Sequence, residues 1–121
     1  MFDPCLKFKD EKIMHNFCDV RIHPILTDII NYILQLHGEV IVTSAFRPIK
    51  IHQTDSGIHS TDPLRALDIR HYIYNNPDAL VDIVNRKFTY DPKRPTKKCA
   101  IFHNTKGWHI HLQCHDKTRQ N

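Results

Sequence analysis

The chain has 121 residues, room for one domain and no more. With 40% hydrophobic and 25% charged residues it has ordinary globular values and material for one core. A formal net charge of +4 is mild; it suits an anionic polymer as partner but does not specify nucleic acid. Lys93, Arg94, Lys97 and Lys98 form the main basic cluster and read as a solvated loop. They lack the interleaved aromatics of a nucleic-acid groove, so nucleic acid is not the expected partner.

In chain order, residues 1–22 are mixed in polarity and read as an irregular lead-in, with a short extended piece from Phe17 to Ile22. Asp3, Lys7, Lys9 and Asp10 interrupt any apolar leader, and no apolar run reaches the ~20 residues that span a bilayer. The expectation is a cytoplasmic product without a membrane partner, and a monomer. Pro24 stands at a first helical position. Ile25, Leu26, Ile29, Ile30, Ile33, Leu34 and Leu36 follow at helical spacing up to Gly38. Val40–Thr43 is β-branched and reads as a strand, followed by Ser44-Ala45-Phe46-Arg47-Pro48.

Residues 49–64 read as loop, with Gly57 and Pro63 as breakers. Arg65–Arg70 alternates as a strand, with Ala66, Asp68 and Arg70 on one face and Leu67 and Ile69 on the other. A second helix is expected over Pro77–Phe88 with Asn76 as its cap. Thr89–Thr96 is a proline-containing loop, and Lys98–His103 and Gly107–Cys114 form a hairpin, with residues 115–121 as a tail. The sum is a single α+β domain spanning 1–121: a small antiparallel sheet with flanking helices and a metal site on the sheet face. Cys5, Cys18, Cys99 and Cys114 show neither CxxC pairing nor zinc-finger spacing, and buried thiols are expected.

The last strand carries the chemistry. Trp108, Ile110 and Leu112 share one face and read as core, while His109, His111 and Gln113 share the other. Two imidazoles two residues apart on a strand point the same way. Asp68 puts a carboxylate between Leu67 and Ile69, a costly place unless it is paired or metal-bound. An ion pair with Arg65 or Arg70 is the alternative to a metal. His59 ends the Gly-containing segment that feeds Asp68's strand. Two imidazole nitrogens and one carboxylate oxygen, with a fourth position open, are a usual ligand set for catalytic zinc.

Ser56 to Asp68, followed by Trp108 to His111, resembles the metal signature of the zinc D-Ala-D-Ala peptidases. That family includes D,D-carboxypeptidases, dipeptidases, phage endolysins and murein endopeptidases, with the hedgehog signalling domain as a non-peptidase cousin. Thr43-Ser44-Ala45-Phe46-Arg47 is similar to the family's strand-end segment. The resemblance implies zinc held by His59, Asp68 and His111, with His109 as base or transition-state stabiliser. It also implies Arg47 holding the substrate or polarising its carbonyl, with Ser44 beside it. The substrate implied is a peptidoglycan stem peptide cut at or near its D-amino acids, by a compact endolysin or a cytoplasmic dipeptidase.

Two departures from the family pattern stand out. Eight residues separate His59 from Asp68, a longer connection than the family's usual one, and Ala66 stands without the usual glycine. The glutamate that many members carry shortly before the last ligand is missing; the chain has only Glu11 and Glu39. Members with an HxH pair use the second histidine as ligand, which His109 and His111 match. The reverse assignment, with His109 as ligand because it follows Trp108, stays open. So does a zinc-stabilised binding or assembly module without catalysis. His103 is read as a supporting residue, and His15, His23, His37, His52, His71 and His115 as surface or helix-end residues.

Overall fold

The structure, a computed structural model, describes residues 5–46, 58–105 and 107–121. Arg47, Pro48, His52, Ser56 and Gly57 therefore lie outside the described residues. Strand β1 (Leu6–Phe8) leads into helix α1 (Glu11–Cys18), helix α2 (Pro24–His37) and strand β2 (Val40–Ser44). After a 3-10 turn at Ile58–Ser60 come strand β3 (Ala66–Ile69), helix α3 (Pro77–Lys87) and strand β4 (Phe88–Thr89). Strands β5 (Ala100–Asn104), β6 (Trp108–Gln113) and β7 (Arg119–Gln120) complete the chain. The fold is α+β, with a five-stranded sheet in the order β1-β2-β3-β6-β5 and a two-stranded β4-β7 ribbon.

The expected antiparallel sheet holds for β2, β3, β6 and β5, but β1 pairs with β2 in parallel, so the sheet is mixed. A parallel neighbour needs a long crossover, and α1 and α2 supply it. The described part of the lead-in, residues 5–22, thus carries a strand and a helix where an irregular segment was expected. Its extended piece is Leu6–Phe8, and Phe17 belongs to a helix. Asp10 caps α1 by accepting from the Ile13 N–H at 2.9 Å. Phe17 is buried, its ring centroid 5.2 Å from that of Phe8. The capping aspartate was a signal in the sequence, but three strand residues and one short helix are too brief to show periodicity.

Helix α2 forms as its spacing predicts. The His23 side chain caps it through the Ile25 N–H at 3.2 Å, Pro24 occupies the first turn, and Gly38 closes it. Gly38 adopts φ 77°, a left-handed conformation that favours glycine, and its N–H bonds the Leu34 carbonyl at 2.8 Å. Leu26, Ile29, Ile30, Ile33 and Leu34 are buried, each burial stabilising by roughly 1.5–3 kcal/mol. They meet Val40, Val42, Leu67, Ile69, Ile110 and Leu112 in one apolar cluster. One sheet face is thereby covered, and the site lies on the other. No described helix is long and apolar enough to cross a membrane.

Helix α3 is capped by Asn76, which accepts from the Ala79 N–H at 3.1 Å. It also guards the sheet edge: the Asn85 side chain bonds both the N–H and the C=O of Ala100, each at 2.9 Å. That amide stands in for a neighbouring strand along β5. The expected tail is ordered as well. Arg119 pairs with Thr89, the Thr118 hydroxyl donates to the Tyr90 carbonyl at 2.7 Å, and Asp116 meets His23 at 3.0 Å. His23 is therefore a buried cap and not a surface residue. Trp108 corrects the core assignment of the last strand. It is 54% exposed at the turn end of the hairpin, where its register partner is Asn104 and its ring stacks on Phe102 at 4.8 Å.

The expectation of buried thiols holds for Cys99 and Cys114 and fails for the exposed Cys5 and Cys18. Burial pushes the thiols of Cys99 and Cys114 up to about 12, so neither forms a thiolate near neutral pH. A thiol-specific reagent at pH 8 should modify Cys5 and Cys18 in the folded protein. Cys99 and Cys114 should react only in denaturant. Peptide mapping of the labelled chain checks this, and rapid native labelling at Cys99 would contradict the packing described.

Candidate metal centre

The site is assembled by register. Asp68 on β3 faces His111 on β6 across an antiparallel pair, and Ser44 on β2 is its partner on the other side. A register shift between Val42 and Ser44 places Thr43 as the extra residue, so Val42 opposes Ile69 in the core while Ser44 opposes Asp68. His59 arrives from the loop. It sits in the 3-10 turn, is 3% exposed, and has its Nδ1 3.1 Å from the Ala45 carbonyl just beyond β2.

The long connection between His59 and Asp68 is absorbed by local bonds. The Thr61 hydroxyl donates to the Pro63 carbonyl at 2.9 Å and accepts from the Arg65 N–H at 3.0 Å. Leu64 bonds backbone to backbone with Arg21 and His23, at 2.8 and 2.9 Å. The extra residues are thus tied to the segment before α2, and His59 still reaches the sheet.

Proton placement follows from the partners. A carbonyl oxygen only accepts, so His59 Nδ1 carries its proton and Nε2 keeps a lone pair, 3.7 Å from Asp68 Oδ1. Gln113 Nε2 donates to the Lys98 carbonyl at 2.7 Å, which leaves its Oε1 to accept from His111 Nε2 at 3.0 Å. His111 Nδ1 is then the lone-pair nitrogen, 3.1 Å from Asp68 Oδ1. Two electron-rich atoms at that distance repel unless a cation, metal or proton, lies between them.

One atom each from His59, Asp68 and His111 lies within 4.8 Å of the others, a group that can hold a metal ion. Two neutral imidazoles and a carboxylate are a donor set that a divalent transition metal accepts, so the residues fit such an ion. Burial raises the Asp68 carboxyl, but without a metal a proton held between His111 and Asp68, and the positive charge that His59, His111 and His109 carry when protonated, outweigh it and hold it below its ordinary value. Asp68 therefore stays ionised at neutral pH and available to a cation. Among the described residues its charged neighbours are these imidazoles, and no ion pair joins it to Arg65 or Arg70.

His109 flanks the group. Its Nδ1 donates to the Gly107 carbonyl at 3.0 Å, so Nε2 keeps a lone pair, 3.6 Å from Asp68 Oδ1. Gly107 makes this possible: φ 107° turns its carbonyl back toward the ring while its N–H bonds Asn104 Oδ1 at 3.1 Å. The His109 side chain is 19% exposed, against 12% for His111 and 4% for His59, so it stands on the solvent side of the cluster.

Gln113 and His103 are the residues that sequence reading undervalued. Gln113 was visible only as the next polar residue on the face of His111, yet it fixes that ring's tautomer. His103 is the register partner of His109. Burial, then the neighbouring His109 and His111 rings, lowers its pKa, against a smaller opposing pull from Asp68. Of the residues implied by the resemblance, the structure brings His59, Asp68, His111, His109 and Ser44 together; Arg47 lies outside the described residues. No protein-family model, curated protein or solved structure matches the chain.

Two substitutions probe this geometry. Asp68→Ala should abolish stoichiometric metal binding, because it removes the one anionic donor of the group. Gln113→Leu should keep all three donors but free the His111 tautomer, weakening metal affinity by roughly 10–100-fold. Competition against a chromophoric chelator measures both, and wild-type affinity in either variant would contradict the assignment.

Proposed function

We propose that this protein is a zinc-dependent peptidase that hydrolyses peptidoglycan stem peptides at or near their D-amino acids. The observation that carries the reading is the ionised Asp68 facing two lone-pair imidazole nitrogens, with a third imidazole, His109, just outside them. That is a ligand set with a base beside it, on the sheet face opposite the α2 core. The similarity of Ser56–Asp68 and Trp108–His111 to the zinc D-Ala-D-Ala peptidases supplies the substrate class.

His59 through Nε2, Asp68 through a carboxylate oxygen and His111 through Nδ1 would hold the ion. Zinc supplies Lewis acidity there, polarising a carbonyl and lowering the pKa of water toward ~7. The remaining work belongs to the chain. His109 Nε2 accepts the proton of the attacking water and returns it to the leaving amine. His109 Nε2 lies 3.6 Å from Asp68 Oδ1, beside the donor set. Gln113 holds His111 in the coordinating tautomer through both steps. Arg47 follows the end of β2 and would offer its guanidinium fork to the peptide carboxylate or the developing oxyanion. Ser44, beside Asp68, would bind the substrate backbone.

A second reading, a zinc-stabilised module without turnover, draws on one distance. His109 Nε2 is as near to Asp68 Oδ1 as His59 Nε2 is, 3.6 against 3.7 Å. As a fourth ligand His109 would close the coordination shell and leave no place for water.

Substitution at His109 separates the two readings. For a peptidase, His109→Ala binds zinc stoichiometrically while turnover of D-Ala-terminated peptides falls by roughly 10²–10⁴. For a closed structural site, the same variant loses zinc affinity and wild type has no turnover to lose. Arg47→Ala should reduce turnover with zinc content and melting temperature unchanged. Mass spectrometry of digested peptidoglycan names the bond, and an undigested sacculus at full zinc loading would overturn the peptidase reading.

A further inference from the structure

The site face carries one imidazole that the proposed chemistry leaves unused. His103 on β5 and His109 on β6 are register partners, so both rings rise from the face that bears Asp68 and His111. The His103 ring centroid is 4.4 Å from that of His109 and 6.0 Å from that of His111. Its Nδ1 lies 3.3 Å from the Thr105 hydroxyl. Its Nε2 is buried and has no hydrogen-bond partner among the described residues.

A buried nitrogen left unpaired is costly, and folded chains keep few of them. The cost is not forced by the fold. A phenylalanine or leucine on β5 would cover His109 equally well without a polar atom to satisfy. Nor is the nitrogen free to choose its role. When the Thr105 hydroxyl donates to Nδ1, the ring proton sits on Nε2, and the buried edge becomes a donor in want of an acceptor. Within the cluster, Asp68 Oδ1 already lies within 3.7 Å of a nitrogen of each of His59, His109 and His111. Beside the His109 end of the site, a donor on this ring would meet an oxygen of a bound molecule on the side away from Ser44.

We propose that His103 is a substrate-contacting residue whose Nε2–H donates a hydrogen bond to a carboxylate or carbonyl oxygen of the ligand held beside the metal. The proposal rests on His59, Asp68 and His111 forming a metal centre, and not on peptide hydrolysis. Its ligand class is an oxygen acceptor small enough to lie between the His103–His109 pair and the ion. Nε2 is covered in the structure, so a ligand oxygen reaches it by displacing the side chains over that edge, while packing and Thr105 keep the ring in place.

Cobalt(II)-loaded protein tests the assignment without relying on turnover, because anion binding at the ion changes its visible absorption. Acetate is the probe. His103→Phe keeps a ring against His109 but removes the donor, and acetate should bind roughly tenfold more weakly, the worth of one buried hydrogen bond. Cobalt stoichiometry should stay unchanged, and His103→Asn, which restores an N–H, should recover part of the affinity. If the phenylalanine variant does not fold, Thr105→Val provides the comparison, since it removes the hydroxyl that sets the tautomer and should weaken acetate in the same direction. The proposal is overturned if acetate binds the variants as tightly as wild type, if they lose cobalt, or if wild type shows no acetate binding. Where acetate behaves as expected but D-Ala-terminated peptides survive wild-type zinc protein, the peptidase reading falls and the His103 assignment stands.

Discussion

The Asp68 carboxylate, set in the middle of a sheet and 3.1 Å from a lone-pair nitrogen of His111, is the constraint around which this molecule is arranged. Left alone, a buried carboxylate would be driven toward its neutral form. Here three imidazoles converge on one of its oxygens, and a cation among them, a metal ion or a proton shared with a ring, keeps it ionised. Each of the three is committed elsewhere through its second nitrogen or its own turn: His59 to Ala45, His111 to Gln113, His109 to Gly107. Those outer bonds decide which nitrogen faces inward, and so turn a set of histidines into a set of donors. The result is an electron-rich cluster that a cation stabilises.

The scaffold serves this arrangement by dividing the sheet. One face is sealed by the isoleucines and leucines of α2, which fixes β3 and β6 rigidly, since any register slip would bring polar side chains into the core. The other face inherits that rigidity. His111 and Asp68 meet because Leu112 and Leu67 meet on the far side, as neighbours in the same ladder. The graded exposure of the three imidazoles follows from position: His59 in the 3-10 turn against Ala45, His111 at mid-strand, His109 toward the hairpin turn. His109 is the most exposed of the three imidazoles around Asp68.

Strong, repetitive signals were legible in the sequence. The α2 helix could be read because fourteen residues carry several turns of apolar spacing between a proline and a glycine. The β6 alternation was equally plain, and it placed His109 and His111 on one face. The lead-in strand and α1 were not legible, because three and eight residues offer too little period to stand out from mixed composition. The tail, too, looked featureless: its order comes from Thr89, Tyr90 and His23, which lie far away in the chain. Trp108 was misplaced for a related reason. Alternation tells which face a side chain takes, but not how far along the strand the covering helices extend.

By itself, then, the sequence determined the residue types and the order of a donor set: a histidine in a loop, an aspartate in an apolar strand, and a histidine pair on a later strand. Periodicity and the cost of burying a carboxylate suffice for that, since both act locally along the chain. Only the tertiary structure decided that His59 reaches across a long connection, through the bonds of Thr61 and Leu64. It alone set the tautomers of His59 and His111, because these depend on a carbonyl at Ala45 and on an amide that Lys98 holds in place. And it alone put His103 against His109, since a ring's neighbour across a hairpin is fixed by register, and register is settled by the packing of the opposite face.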